Sequence, residues 1–281
     1  MDKDVRRLCP EISFFSQPTE HPNEQVVFGG HERLHQRVQQ TMLNSQSLER
    51  KGMGVQKFTL PKKKKYVEDY APLDEGREAH WEVVERILFL YAKLNPGQSY
   101  VQGMNEIIGP IYYVFATDSR KEWREYAEAD CFFCFTNLMS DIRDFFIKSL
   151  DEAESGINGM MIKLMSKIGR LDPEVKEVLD KQEIRPQYFS FRWLTLMLSQ
   201  EFPLPEVLRI WDSLLADETR SRFLIDVCVA MILLIRQDIL FNEFSENMKL
   251  LQNYPTSLDI HVILSKAAGL SSDIISSNEK R

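Results

Sequence analysis

Three short stretches carry residue types able to do chemistry. His31-Glu32-Arg33-Leu34-His35 has H-E-x-x-H spacing. On a helix, that spacing sets two imidazoles on one face to hold zinc, with the glutamate as general base. Zinc also needs a third ligand and a rigid scaffold. The motif sits in a polar stretch with no neighbouring core helix, so we read it as a chance occurrence and expect no metal site. Cys131-Phe132-Phe133-Cys134 is a single C-x-x-C in an apolar run. A zinc site takes a second pair and a redox motif takes a βαβ setting, so these read as buried core cysteines. The third stretch, Ser99-Tyr100-Val101-Gln102-Gly103-Met104, follows the break Asn95-Pro96-Gly97. Ser99-x-x-Gln102 matches the capping box, in which the serine bonds the N3 amide and the glutamine reaches back to the N-cap amide. By spacing alone, Gln102 caps a helix. No G-x-x-x-x-G-K-[ST] appears, so no nucleotide site of the chain's own is indicated, and no G-x-S-x-G marks a serine hydrolase.

The elements that must position these residues are helices. Val83, Val84, Ile87, Leu88, Tyr91 and Leu94 recur at i, i+3, i+4 spacing after Glu78, and Asn95-Pro96-Gly97 ends that run. A second helix carries Val101, Met104, Ile107, Ile108, Ile111 and Phe115, with Pro110 predicting a kink or break. Further helices are expected over 131–150, 157–168, 187–200, 204–215, 223–239, 241–252 and 258–268, with Asp172-Pro173 as a start signal. No alternating strand pattern is sustained, so the class is all-α. Residues 16–78 are polar and read as a long, partly disordered insertion with one amphipathic helix near 31–48. Lys62 to Lys65 could meet anionic lipid, but Glu68 and Asp69 follow closely and favour a solvated loop. Residues 269–281 read as a frayed tail.

The bulk numbers exclude several classes. A net charge of −7 over 281 residues argues against a nucleic-acid binder. Four scattered cysteines do not make a disulfide scaffold and point to reduced thiols. The longest apolar run, Phe223 to Ile235, includes Asp226 and is too short for a membrane span, so a soluble chain is expected.

Three segments in order carry a family likeness. Met1-Asp2-Lys3-Asp4-Val5-Arg6-Arg7 resembles an I-x-x-D-x-x-R element, with Met1 in the isoleucine place. Tyr100-Val101-Gln102-Gly103-Met104-Asn105 is similar to Y-x-Q-G-M-N. Tyr188-Phe189-Ser190-Phe191-Arg192-Trp193-Leu194, then Glu201-Phe202-Pro203-Leu204 and Arg209-Ile210-Trp211-Asp212, looks like a C-terminal signature. Together they resemble the TBC-domain family of GTPase-activating proteins for Rab GTPases, over residues 1–15 and 79–240.

The resemblance implies a two-subdomain helical fold: 1–15 with 79–150, then 151–268, interrupted by the 16–78 insertion. It implies a GTP-loaded Rab partner that itself binds GTP and Mg²⁺, with no cofactor held by this chain. Arg7 and Gln102 would be the arginine and glutamine fingers supplied in trans. Asp4, one turn before Arg7, would orient it, and Tyr100, Gly103 and Asn105 would support the finger loop. Phe191, Trp193, Leu194 and Trp211 would be mostly buried, while Arg192 and Asp212 would form a polar pair beside the core or touch the GTPase. The family's domains carry helices before the first element, which this chain lacks. A non-catalytic GTPase-binding or scaffold module is therefore the alternative. Either way the resemblance implies a cytoplasmic protein, peripheral to vesicle or endosomal membranes through its partner.

Overall fold

The computed structural model describes residues 1–29, 32–37, 69–147 and 156–278, with side chains to residue 270. The first helices are α1 (Asp2–Val5), α2 (Glu24–Val27), α3 (His80–Leu94), α4 (Met104–Ala116), α5 (Lys121–Arg124) and α6 (Ala127–Ile142). They are followed by α7 (Ile157–Leu171), α8 (Pro173–Lys181), α9 (Ser190–Thr195), α10 (Leu204–Ala216) and α11 (Arg220–Leu234). The last are α12 (Arg236–Phe241), α13 (Phe244–Gln252) and α14 (Ile260–Asn278). Among the described residues there is no strand, only an isolated antiparallel bridge between Pro18 and Ala79. The all-α expectation holds. By packing, the chain divides into residues 1–134 and 135–281, inside α6, where the sequence suggested a division after 150.

The first unit is built on α3 and α4. Trp81, Val84, Leu88 and Tyr91 of α3 are buried, as are Met104, Ile107, Ile108, Ile111 and Tyr112 of α4. Glu82 secures the start of α3 by accepting the Ala79 N–H at 2.9 Å. The second helix runs unbroken through Pro110, because the buried residues around it outweigh one missing helical hydrogen bond. Leu8 packs so closely on α4 that a Cβ on Gly109 would lie 2.8 Å from its Cδ1.

The described ends of the 16–78 stretch are built into this unit. Thr19 N–H donates to Glu78 O at 2.8 Å and His80 N–H to Gln17 O at 3.1 Å. His80 stacks on Phe14 with ring centres 4.1 Å apart and sits 2.8 Å from the Tyr112 hydroxyl. Of the helix expected near 31–48, only the turn 34–37 falls among the described residues. The disorder expected over the rest of the stretch lies outside them.

The second unit surrounds α11, which is buried from Phe223 to Ile232 and packs against α7, α9, α10 and α14. Asp226 on α11 pairs with Lys167 on α7, both buried. Asp172 caps α8 by accepting Val175 N–H at 3.1 Å with Pro173 at the first position, as the sequence indicated. Several expected helix limits move. The 131–150 helix stops at Ile142 and continues as a 3-10 turn, Arg143–Phe146. The 187–200 helix contracts to Ser190–Thr195, because Met197 and Leu198 take φ of 49° and 65°. The 223–239 run divides into α11 and α12, and α14 extends to Asn278 where a tail was expected.

Candidate functional site

Arg6 and Arg7 leave the end of α1 in opposite directions. Arg6 is buried: Nε donates to Asp2 Oδ1 at 2.9 Å, Nη1 donates to Tyr70 O at 2.9 Å, and the guanidinium carbon lies 4.6 Å from the Trp81 ring centre. Val5 and Leu8, on either side, are fully buried. The intervening Arg7 points outward, its side chain 57% exposed. Its Nε donates to Asp69 Oδ1 at 2.5 Å, which raises the guanidinium pKa further and holds the Asp69 carboxyl below the usual range.

Residues 69 and 70 clamp this loop from outside. Tyr70 N–H donates to Arg6 O at 2.9 Å, and the Tyr70 hydroxyl donates to Leu8 O at 2.9 Å. Cys9 in the same loop has a φ of 43°. From the sequence, Asp69 marks only a solvated loop beside the lysine run. No local signal could have found its partner, which lies 62 positions away.

The Gln102 loop is shaped differently from the capping expectation. Tyr91, in the last turn of α3, donates its hydroxyl to Gln98 Oε1 at 2.8 Å, which folds the break back on the helix. Gly103, at φ 106°, is the N-cap of α4, and no side chain caps it. Ser99 has a φ of 59° and sits too far back to cap. The capping box is therefore not formed: α4 begins at Met104, after Gln102. Gln102 is exposed, and its side chain makes no hydrogen bond among the described residues.

One hydroxyl joins the two loops. Tyr100 donates to Asp4 Oδ2 at 2.7 Å and lies 3.2 Å from Asn105 Oδ1. Asn105 is buried and donates to Glu106 Oε1 at 2.9 Å, with Asp4 O at 3.5 Å. Burial and the Asp4 carboxylate push the Tyr100 pKa well up, so the hydroxyl keeps its proton. Asp4 thus bonds to Tyr100 and not to Arg7, whose carboxylate partner is Asp69. The segments carrying Arg7 and Gln102 are tied together three residues from the one and two from the other. Each of these two side chains remains free at its tip to meet something outside the chain.

The other candidates separate from this site. His31 lies outside the described residues. Arg33 Nη1 donates to Glu82 Oε1 at 3.0 Å, and His35 Nδ1 lies 3.4 Å from the same oxygen. The H-E-x-x-H stretch therefore does have a core helix beside it, contrary to expectation. Among the described residues, no group of three His, Cys, Asp or Glu is arranged to hold a metal ion. Cys131 is buried as expected, but Cys134 is exposed.

In the second unit, Trp193, Leu194 and Trp211 are buried, and Trp211 Nε1 donates to Met197 O at 2.9 Å. Phe191 is 45% exposed, the one member of that group of four that is not buried. Arg192 pairs with Glu201 through two bonds, Nε at 2.5 Å and Nη2 at 2.8 Å, and also reaches Gln252 O at 2.8 Å. The expected partner Asp212 is exposed instead. Sequence proximity to the core suggested the pair; the turn after α9 brings Glu201 back under Arg192.

The Rab-GTPase-TBC domain model matches residues 67–240, which include Tyr100, Gln102 and Asn105; Asp4 and Arg7 precede them. The chain is 55% identical over 275 residues to TBC1 domain family member 13 of Homo sapiens, covering 96% of this chain and 68% of that protein. It is 46% identical over 188 residues to a TBC domain-containing protein of Schizosaccharomyces pombe, covering 62% of this chain and 30% of that one. Among solved structures, the Ypt/Rab-GAP domain of Gyp1p superposes with a TM-score of 0.62 at 25% identity, over 72% of this chain and 67% of that chain.

Proposed function

Because the chain belongs to the Rab-GTPase-TBC domain family, we propose that it binds a GTP-loaded Rab GTPase and speeds hydrolysis of the nucleotide its partner carries. Arg7 supplies positive charge to the phosphate oxygens as negative charge builds on them. Gln102 orients the attacking water. Arginine suits the first task, being always cationic and able to donate two parallel hydrogen bonds to phosphate. An arginine offered in trans is worth about 10³ to 10⁵ in rate, or roughly 4 to 7 kcal/mol of barrier. GTP and Mg²⁺ are the partner's, and contact with vesicle or endosomal membranes runs through the partner.

One observation carries this reading. The Tyr100 hydroxyl bond to Asp4 ties the Arg7 segment to the Gln102 loop, while both working side chains stay exposed. A purely structural role would leave Gln102 with an internal partner, and it has none among the described residues.

Single-turnover GTP hydrolysis across a panel of Rab GTPases tests it, comparing wild type with Arg7→Ala and Gln102→Ala. Each variant should lose about 10²-fold or more of the acceleration, approaching intrinsic hydrolysis. Gln102→Ala should leave the unfolding midpoint unmoved. Variants that match wild type would sink the assignment of both residues. A wild-type chain that binds the GTP-loaded Rab without changing its rate would instead be a binding or scaffold module.

A further inference from the structure

We propose that Asp69 is the positioning residue for Arg7, fixing the guanidinium so that its outer edge faces the phosphate. This rests on the reading of Arg7 just given and adds a residue to it.

The geometry has three parts. First, Asp69 engages only Nε of Arg7; neither Nη makes a hydrogen bond among the described residues. A guanidinium is planar, so anchoring Nε fixes the plane while leaving the Nη pair open. That pair is the edge able to make two parallel bonds to phosphate oxygens. Second, Asp69 does not depend on Arg7 to hold its own place. The adjoining Tyr70 exchanges two bonds with Arg6, N–H to O and O from Nη1, both at 2.9 Å. Its hydroxyl bonds Leu8 O at 2.9 Å. The carboxylate is therefore delivered from a backbone already registered against the Arg7 loop. Third, Arg7 needs such help, because it is exposed and follows a helix of only four residues. A long, free arginine loses much rotamer freedom on meeting a phosphate, and part of that loss is met in advance here.

The same contact could be read as a mask that keeps Arg7 from its target. The open Nη edge argues against that, and an exposed ion pair is too weak to withhold an arginine from a phosphate.

The test uses the full chain and whichever GTP-loaded Rab of the panel wild type accelerates most, with rate measured against concentration. Asp69→Ala should lower the saturating rate by about 2- to 5-fold and leave the half-saturating concentration unchanged. Asp69→Asn, which keeps an oxygen acceptor in the same position, should recover most of that loss. In an Arg7→Ala background, Asp69→Ala should change nothing further. Asp69→Ala equal to wild type, faster than wild type, or equally harmful without Arg7 would each overturn the proposal while leaving the arginine assignment intact. Failure of Arg7→Ala to slow the reaction, or of wild type to accelerate any Rab, would overturn the arginine reading and this proposal with it.

Discussion

Arg6 and Arg7 are adjacent and identical in charge, yet Arg6 is 9% exposed against Trp81 and Arg7 reaches into solvent. Packing decides between them: Val5 and Leu8 must face the core, which turns one arginine in and the other out. The buried side carries a consequence for pH. Glu85, 2% exposed on α3, has its carboxyl pushed up to about 7, first by burial and then by the Asp2 carboxylate, with Arg6 opposing. Its ordinary value is 4.5, so between pH 4.5 and 7 the folded chain holds a proton that the unfolded chain has lost. Stability from this residue is present below that window and is lost as pH rises through it, by about 3 kcal/mol at most. Glu85→Gln should therefore raise the urea midpoint at pH 8 and leave it nearly unchanged at pH 5. An equal shift at both values would show that ionisation is not the cause.

The elements are set by short breaks more than by their apolar runs. Gly103 at φ 106° lets the chain turn into α4 directly after Gln102. A side chain there costs about 1 to 2 kcal/mol and tends to swing the preceding residue away. Gly103→Ala should lower stability by about that amount and reduce activation more than its stability loss explains; a variant with normal stability and activation would remove the glycine from the account. In the second unit, Met197 and Leu198 adopt the same left-handed conformation without being glycine. Their burial and the Trp211 bond to Met197 O hold them there, and this is why α9 is six residues long where the apolar pattern indicated more. Left-handed backbone at non-glycine residues leaves no trace in a hydrophobic pattern.

At the scale of the whole molecule, each unit has its own core, and each core contains charge. Lys167 and Asp226 are both buried and paired. Removing one partner strands the other, at a cost of about 3 to 5 kcal/mol. Lys167→Met should therefore unfold at much lower urea. Lys167→Met combined with Asp226→Leu should recover most of the loss, because two apolar groups of similar volume need no partner. A single variant costing less than about 1 kcal/mol would mean that the pair is not isolated from water. The described ends of the 16–78 stretch likewise belong to the first unit, through Thr19, Glu78, Arg33, His35, Asp69 and Tyr70.

The sequence by itself determined what is local or periodic. Apolar spacing gave the helical class and most of the helices, Asp172-Pro173 gave the start of α8, and the order of three motifs gave the family. Arg7 and Gln102 stand out as candidates because their neighbours fall in recognisable spacings. Tertiary structure alone decided which contacts those residues make. Asp69 meets Arg7 across 62 positions, and Tyr100 meets Asp4 across 96. Pairings at such separations depend on which faces are buried together, and a polar residue shows no periodicity that reveals its partner. The same reason explains the Arg192 bond to Glu201 in place of Asp212, and the outward Phe191. A capping box could be written from Ser99 and Gln102, but only a folded chain could start α4 one turn later.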